Sequence, residues 1–388
     1  LHITPGLAHG IGNLYGAKVA GAPIVVTAGN HELDFRHEEP ILSGDLEAMV
    51  DQFCKYSTEV TSVEVLPMLL RRAFRTALTP PTGPVFLALP LDVMMAGTSD
   101  TPEPLGPIPS AGRGDPGQVE RATDLLVEAD QPVLVLGDHV ARAGADAVEA
   151  AVDLAEASGA RVFGEMLACE VNFPTDHGQW ITFLPPAEGL GRFLMQSDTI
   201  LFVGCSTNTT LMRHEEPLVS PDTNTVHVGP DAWELAKNEP TNAAVVGDPG
   251  LVMAELADRL DGRLDPTERE RRVGNVHELK ESVAGTVRRL GEDEKPEGET
   301  RASKAELVDA IESVVPGAYV VDEGVTSKYA MLTRFDLSAE QYISNKGGGL
   351  GYGLPASVGA ALAEGQTDAP REVLGFVGDG SYLYYPHT

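Results

Sequence analysis

Short apolar runs alternate along this chain with segments in which apolar residues recur at helical spacing. Near the amino end, a helix-like segment leads into an apolar run over Pro23–Ala28. The helical pattern of Val63–Ala77 leads into a second run over Gly83–Pro90. Because strands that alternate with helices are typical of βαβ units, we expect a parallel sheet flanked by helices in residues 1–97.

The same alternation starts again at residue 118 and continues to residue 262. Apolar helical stripes cover Asp146–Ala157 and Gly250–Leu260. Five apolar runs predict strands beginning at Pro132, Ala160, Asp198, Thr225 and Ala243. Residues 118–262 are therefore predicted to form a self-contained central α/β domain.

A third unit is predicted over residues 303–388, with a helix after Ser303, the strand AYVVDEG, a helix from Thr326 and the strand VLGFV. Residues 98–117, rich in proline and glycine, and residues 263–302, which are charged and acidic, are predicted to be linkers. The expected fold class is α/β, with three Rossmann-like domains and mainly parallel sheets flanked by helices. The first and last domains are expected to be truncated.

The chain is strongly acidic: Asp and Glu total 58, Lys and Arg total 28, and the formal net charge is −30. Nucleic acid and anionic membranes need a basic surface, so neither is expected as a partner. Apolar residues make up 42% of the 388, as in folded proteins, so the charge predicts a halophilic type of hydrated surface rather than disorder. Three cysteines without a CxxC pair, and no apolar run of membrane-spanning length, favour the cytoplasm.

Two glycine clusters lie about one helix apart between Ser344 and Ser381. The second cluster, Gly378, Asp379 and Gly380, follows the apolar run VLGFV, and open α/β sheets bind ligands at the carboxyl ends of their strands. Glycines let the backbone approach a phosphate, and an aspartate between them is an accessible oxygen ligand for Mg²⁺. Either cluster alone is better explained by an ordinary βα turn, but the ordered pair predicts a phosphate and magnesium site.

The motifs, in their order along the chain, resemble the thiamine-diphosphate-dependent enzymes of the benzoylformate decarboxylase and acetohydroxyacid synthase group. The resemblance rests on LHITPGLAHGIGNLYGA, APIVVTAG, GPVFLALPLDV, PVLVLG, NFPTDHG, DTILFVGC, VHVGPDAWELAKNEP, VVDEG, NKGGGLGYGLPASVGAALA and VGDGS. It implies a pyrimidine-binding domain at residues 1–97, a central domain at 118–262 and a diphosphate-binding domain at 303–388. It also implies non-oxidative decarboxylation of a 2-keto acid with thiamine diphosphate and Mg²⁺.

The resemblance implies a role for each part of the glycine stretch. Leu350 would be the apolar wedge under the bent cofactor, and the carbonyl of Gly348 would accept a hydrogen bond from the aminopyrimidine. Asp379 would be the metal ligand. The full set of expected cofactor-binding residues is Gly348, Gly349, Leu350, Thr326, Ser327, Gly378, Asp379, Gly380 and Ser381.

The hydroxyls of Thr326 and Ser327 would bind the terminal phosphate, although simple capping of the following helix is an equal alternative. His2 and His214 align with two histidines to which the resemblance assigns proton transfer, and with Leu350 they complete the expected catalytic set. The segment before His214 is longer than in the family pattern, and an exposed turn is the alternative there.

The middle domain lacks the arginine- and glycine-rich contacts expected for FAD, so FAD is not predicted as a cofactor. The activating glutamate and the second Mg²⁺ ligand of the family fall outside this chain, which is therefore expected to be a piece of a longer enzyme and inactive alone. The resemblance also implies self-association, with the cofactor between subunits of a homodimer or homotetramer.

Three functions are weighed on this basis. The first is a 2-keto acid decarboxylase acting on an aryl or branched substrate. The second is an acetolactate synthase, a carboligase that uses the same chemistry but joins the product to a second keto acid. The third, from another class, is a non-catalytic nucleotide-binding protein, because sheets of this kind also bind dinucleotides and adenylates.

Overall fold

The structure is a computed structural model that describes residues 1–185, 194, 197–205, 213, 217–290, 292, 298 and 300–386. The chain forms two compact units. Unit 1 comprises Leu1–Ser110 and Asn345–Gly349, and unit 2 comprises Ala111–Ser344 and Leu350–Thr388.

Unit 1 is built on a three-stranded parallel sheet in the order β1-β3-β2. Its core contains Leu7 and Leu14 from the first helix and Phe86 from the central strand. The elements are α1 Ile3–Ala20, β1 Val25–Asn30, α2 Leu46–Val50, β2 Tyr56–Glu59, α3 Leu66–Leu78, β3 Val85–Pro90 and α4 Leu91–Met95, with a 3₁₀ turn at Arg36–Glu38.

Unit 2 contains a six-stranded parallel sheet in the order β6-β5-β4-β7-β8-β9. Its central strands are completely buried and, apart from Thr199, apolar, as expected for strands covered on both faces. The elements of this part are α5 Pro116–Glu128, β4 Pro132–Leu136, α6 His139–Arg142, α7 Ala145–Ser158, β5 Arg161–Gly164, β6 Trp180–Phe183, β7 Thr199–Val203, β8 Asn224–Gly229, β9 Ala243–Val246 and α8 Pro249–Leu260.

A second parallel sheet of unit 2 has three strands in the order β11-β10-β12. It shares one buried apolar cluster with the six-stranded part, and the hydroxyl of Tyr329 donates to the carbonyl of Leu184 at 2.8 Å. The remaining elements are α9 Pro266–Leu290, α10 Lys304–Val314, β10 Tyr319–Glu323, α11 Lys328–Arg334, β11 Tyr342–Ser344, α12 Gly353–Glu364, β12 Val373–Val377 and α13 Asp379–Tyr382.

The predicted α/β class with mainly parallel sheets flanked by helices is confirmed. The predicted strands differ by one or two residues at their ends, but three further strands had not been predicted: Tyr56–Glu59, Trp180–Phe183 and Tyr342–Ser344. The boundaries of the three predicted domains stay predictions. Among the described residues, no helix combines the length and the apolar character that crossing a membrane requires.

Most of the acidic segment predicted to be a linker, residues 263–302, is the helix α9. Its Arg272 is 2% exposed and inserts between the carboxyl ends of α5 and α7. The guanidinium donates to the carbonyls of Leu126 and Ser158 at 3.0 Å each. Helix α9 is therefore fastened to unit 2 by a buried cation as well as by an apolar face, on which Val276 is buried and Leu279, Val283 and Val287 pack against the same core.

One buried histidine makes the stability of unit 2 depend on pH. His227 on β8 is 1% exposed and stacks on Phe202 with the ring centroids 4.8 Å apart. Within the described part of the chain its Nε2 has no hydrogen-bond partner. Burial lowers the pKa of His227 from 6.5 to about 4, so between these values the unfolded chain binds a proton that the folded one does not.

The expected result is that unit 2 loses stability as the pH falls below about 6.5, with a cost from His227 of about 2 kcal/mol at about pH 5. His227→Phe keeps the stack on Phe202 and removes the titration. Urea unfolding at about pH 7 and about pH 5 measures the free energy of unfolding of wild type and variant. Charge effects common to both proteins cancel in the difference between them. If the stability of the two proteins depended equally on pH, His227 would bind its proton in the folded state as it does in the unfolded state.

Candidate functional site

Two loops leave neighbouring strands at the same edge of the three-stranded sheet. Strand β10 pairs in parallel with β12, and Glu323 at the end of one lies opposite Val377 at the end of the other. The loop after β10 carries Thr326 and Ser327, and the turn after β12 begins at Gly378. Because the strands are parallel, hydroxyls and a glycine turn come together at the carboxyl edge of the sheet, where such sheets bind ligands.

The turn after β12 presents an exposed carboxylate on a tight backbone. Gly378 is the residue before helix α13, and Asp379 is exposed while its Oδ1 accepts from the N–H of Gly380 at 2.8 Å. Nothing lies within 4 Å of a Cβ added to Gly380, whereas Ser381 is 5% exposed. The Asp379 carboxylate is therefore exposed on a turn that has open space beside Gly380.

The loop after β10 differs from its prediction. Helix α11 begins at Lys328, not at Thr326, and Ser327 is its N-cap without a side-chain capping bond. Thr326 is exposed, and Ser327 is half-buried. The reason is a turn in which the N–H of Ser327 bonds to the carbonyl of Gly324, which delays the helix by two residues. The Ser327 hydroxyl therefore does not cap helix α11, which was the alternative role that the sequence left open.

Two buried carboxylates behind these loops were missed by the sequence prediction. Glu323 is 5% exposed, and its side chain accepts from the N–H groups of Gly351 and Gly353 at 2.7 Å each. Asp322 is 2% exposed and accepts from the hydroxyl of Tyr342 at 2.7 Å. The signal was present in VVDEG, where two acids end an apolar strand just before a glycine.

The Tyr342 hydroxyl stays protonated across the working pH range. Burial first, and then the charge of Asp322, raise its pKa well above the ordinary value of 10. Beside it, Lys328 Nζ donates to the hydroxyl of Ser344 at 2.7 Å. These bonds tie strands β10 and β11 to the start of helix α11, so the loop with Thr326 and Ser327 is held at both ends.

The first glycine cluster is divided between the two units. Leu350, in unit 2, is 39% exposed, while Gly348 and Gly349 belong to unit 1. Gly348 has φ +69°, which favours glycine, and nothing lies within 4 Å of a Cβ added to it. Asn345 supports this part of the turn because its Oδ1 accepts from the N–H of Gly347 at 2.8 Å and its Nδ2 donates to the carbonyl of Gly349.

The two histidines predicted to be catalytic have different outcomes. His2, in unit 1, is exposed, precedes helix α1 without capping it, and forms a β-bridge with Gly29. His214 lies outside the described residues. The structure therefore places His2 on the surface of unit 1 and does not test either histidine as a proton donor.

The donor set fits a diphosphate held through one metal ion. The glycine turn after β12, where the Cβ position of Gly380 is open, leaves room for phosphate oxygens, and Thr326 and Ser327 offer hydroxyls at the same edge of the sheet. Within the described residues, no group of three His, Cys, Asp or Glu side chains could hold a metal by itself. A single carboxylate suits Mg²⁺, which is usually bound by one or two carboxylates together with substrate phosphates and water.

The fold and these turns define a cofactor-binding α/β protein, and comparisons with known proteins give its family. Residues 119–256 match the central domain of thiamine pyrophosphate enzymes, and residues 324–387 match their C-terminal TPP binding domain. Benzoylformate decarboxylase of Pseudomonas aeruginosa is 30% identical over 99% of this chain and 69% of its own length. The chain belongs to the thiamine-pyrophosphate-dependent enzyme family.

Relatives within this family have different reactions. The acetolactate synthase large subunit of Corynebacterium glutamicum is 26% identical over 97% of this chain. The solved thiamine diphosphate-dependent 4-hydroxybenzoylformate decarboxylase of Rhodococcus jostii superposes with a TM-score of 0.78 at 28% identity, covering 99% of this chain and 69% of that one. The chain spans 59% of the length of the synthase and 69% of that of the Pseudomonas decarboxylase.

Proposed function

We propose that this chain serves a thiamine-diphosphate- and Mg²⁺-dependent enzyme that decarboxylates a 2-keto acid without oxidation. The observation that carries the proposal is the pair of loops at the ends of β10 and β12, which bring two hydroxyls and an exposed carboxylate to one edge of the sheet. The similarity to two decarboxylases of aryl 2-keto acids supports this substrate class. The cofactor, when bound, supplies a nucleophilic carbon and an electron sink for the loss of CO₂.

The residues of the chain would hold and orient the cofactor. Asp379 would hold the Mg²⁺, and Gly378 and Gly380, which have no side chains, would let the backbone of the turn approach the diphosphate. Thr326 and Ser327 would donate to the terminal phosphate, with the Ser327 hydroxyl not engaged in capping. Ser381, which is buried beneath the turn, would support it.

The first glycine cluster would serve the ring system. Leu350 is exposed enough to contact a ligand and would be the apolar wedge, and Gly348 would offer its carbonyl to the aminopyrimidine. Gly349 would line the same turn.

Proton transfer completes the reaction. The bond between the carboxyl and keto carbons breaks, CO₂ leaves, and a proton must reach the former keto carbon before the aldehyde is released. His2 and His214 are proposed to move these protons because imidazole titrates near neutral pH.

An acetolactate synthase is the second candidate, and the similarity to the Corynebacterium synthase favours keeping it. Assay of the full-length protein with benzoylformate or with pyruvate, at high KCl, separates the two. Release of CO₂ together with aldehyde is the expected result. Acetolactate as the main product from pyruvate would reject the decarboxylase in favour of the synthase.

Cofactor binding tests the proposal against a non-catalytic nucleotide-binding protein. Calorimetry with thiamine diphosphate plus Mg²⁺ is expected to show binding that Mg²⁺ chelation abolishes. The same titration with NAD, FAD or ADP gives the control, and preferential binding of any of them would contradict the proposal.

We also propose that the protein self-associates, as a homodimer at least, in the cytoplasm. Helix α12 supports this because it is apolar yet poorly covered: Val358 is 42% exposed and Leu362 is 66% exposed. Sedimentation of the full-length protein at high salt measures the state directly, and a monomer would contradict the assignment of a cofactor between subunits.

A halophilic dependence on salt is proposed from the net charge of −30. Exposed ion pairs such as Arg263 with Asp124 contribute little to stability, so their screening by salt is outweighed by relief of the overall repulsion. We expect the Tm to fall by about 10 °C or more between about 2 M and about 50 mM KCl. Differential scanning calorimetry measures this, and an equal or higher Tm in dilute salt would exclude a halophilic surface.

A further inference from the structure

Glu323 occupies an unusual position for a carboxylate, since it is 5% exposed at the end of the central strand of the three-stranded sheet. Its Oε1 accepts from the N–H of Gly351 at 2.7 Å and of Tyr352 at 3.3 Å, and its Oε2 accepts from the N–H of Gly353 at 2.7 Å. Three consecutive backbone N–H groups therefore converge on one side chain.

These bonds replace a local helix cap. The first N–H groups of a helix have no partner within it and are usually satisfied by a Ser, Thr, Asp or Asn at the N-cap. The N-cap of helix α12 is Tyr352, which makes no capping bond. Glu323, on strand β10, accepts from these N–H groups instead. Its hydrogen bonds therefore also fix where helix α12 starts relative to the sheet.

The main chain of the same residue contacts the second glycine turn. The carbonyl of Glu323 accepts from the N–H of Gly378 at 3.4 Å, the first residue of the turn that carries Asp379. Glu323 thus contacts the residues directly after Leu350 through its side chain and the start of the Asp379 turn through its backbone.

The packing around these bonds leaves no room for a side chain at Gly351 or Gly353. A Cβ on Gly353 would lie 2.9 Å from Glu323 Cβ and 2.8 Å from Val377 Cγ2. Gly351 has φ +93°, and a Cβ there would lie 2.6 Å from Tyr384 Cβ. Glycine is therefore required at both positions: Gly353 lies against the ends of β10 and β12, and Gly351 lies against residues that follow helix α13.

We propose that Glu323 is the positioning residue of the cofactor site, which sets Leu350 at a fixed place relative to the Gly378 turn. This rests on the proposed function, in which Leu350 supports the ring system and Asp379 holds the metal. Glu323 itself contacts neither the cofactor nor the substrate. It acts by ordering, before the ligand binds, the two turns that would contact opposite ends of one ligand. This lowers the conformational entropy cost of binding.

Glu323→Gln tests the proposal. The amide keeps the shape of the carboxylate, but its NH₂ group is a donor and cannot accept from the backbone N–H groups. Without cofactor, amide hydrogen exchange at Gly351, Tyr352 and Gly353 is expected to accelerate by about tenfold or more. Calorimetry is expected to show about tenfold or greater weakening of thiamine diphosphate binding in the presence of Mg²⁺.

Glu364→Gln is the matched control at the opposite end of helix α12. Glu364 is 7% exposed and accepts from the backbone N–H of Arg371 at 2.8 Å. This variant is expected to lower the Tm as Glu323→Gln does, while leaving cofactor affinity and exchange at residues 351–353 unchanged. If the Gln variant of Glu323 does not fold, Glu323→Asp gives the same test, since it keeps the charge and withdraws the oxygens by one methylene.

Wild-type affinity and wild-type exchange in the Glu323 variant would overturn the inference, as would equal weakening by Glu364→Gln. The two proposals fail separately. A wild-type protein that binds no thiamine diphosphate rejects the proposed function, whereas unchanged amide exchange in Glu323→Gln rejects the positioning role whatever the ligand.

Discussion

Replacement of Arg272 with methionine is expected to lower the free energy of unfolding of unit 2 by about 3–5 kcal/mol. The guanidinium donates to the carbonyls of Leu126 and Ser158, and also to those of Val127 and Ala129. These carbonyls lie at or just after the carboxyl ends of helices α5 and α7, where backbone oxygens lack helical partners and a cation is favourable. Methionine fills a similar volume but leaves the oxygens buried and unpaired.

The tryptophans of the chain make this loss directly measurable. There are two, Trp180 and Trp233, and both belong to unit 2. Trp180 is 5% exposed, so its emission will shift to the red when unit 2 unfolds in urea. Unfolding of unit 1 does not contribute to this signal.

Arg271→Met is the control on the same helix. The Arg271 side chain is 41% exposed and pairs with Glu268 and Asp130 at the surface. Loss of such exposed pairs is expected to cost far less than loss of the buried guanidinium. Equal destabilisation by the two variants would show that Arg272 contributes no more than a surface charge does. Helix α9 would then be attached to unit 2 by other contacts.

Arg272 also shows where the sequence prediction of the fold reached its limit. Apolar runs revealed the buried strands, because burial on both faces requires continuous apolar residues. Helix α9 does carry an apolar row, Val276, Leu279, Val283 and Val287, which packs on the core, but the many charges around it led residues 263–302 to be interpreted as a linker. The Arg272 contacts could not be read from the segment at all, because its partners lie in two distant helices.

The missed strands have a related explanation. Tyr56–Glu59 is a short edge strand of half-buried residues, three of them hydroxyl-bearing, and carries no apolar run. Tyr342–Ser344 has only three residues. Both are defined by pairing with a longer neighbour, β3 or β10, rather than by their own composition.

The candidate site was predictable as far as local chemistry determines it. Asp379 between two glycines after an apolar strand indicated a ligand position, and the structure places Asp379 exposed at a strand end. Glu323 was missed because its partners lie 28 to 30 residues further along the chain. The burial of a carboxylate by partners so far along the chain depends on tertiary packing. The spacing of residues within a motif does not reveal such packing.

Asp379→Asn is expected to weaken Mg²⁺-dependent binding of thiamine diphosphate by about 100-fold or more while leaving the fold intact. The carboxylate loses its charge, and a neutral amide is a poor ligand for Mg²⁺. The amide oxygen can still accept from the N–H of Gly380, the bond that Asp379 makes at 2.8 Å, so the turn is retained. Calorimetry at several Mg²⁺ concentrations measures both the affinity and the metal requirement.

Asp368→Asn is the matched control, because Asp368 is also exposed in unit 2 but lies in the loop before β12 rather than after it. It removes the same charge from the acidic surface, so any general electrostatic effect on an anionic ligand appears in both variants. A loss confined to Asp379→Asn, with a steeper dependence on Mg²⁺, is what a metal ligand requires. Equal affinities in the two variants would instead place the metal away from the turn after β12, and the loops that carry the proposed function would then bind the diphosphate through hydroxyls and backbone N–H groups alone.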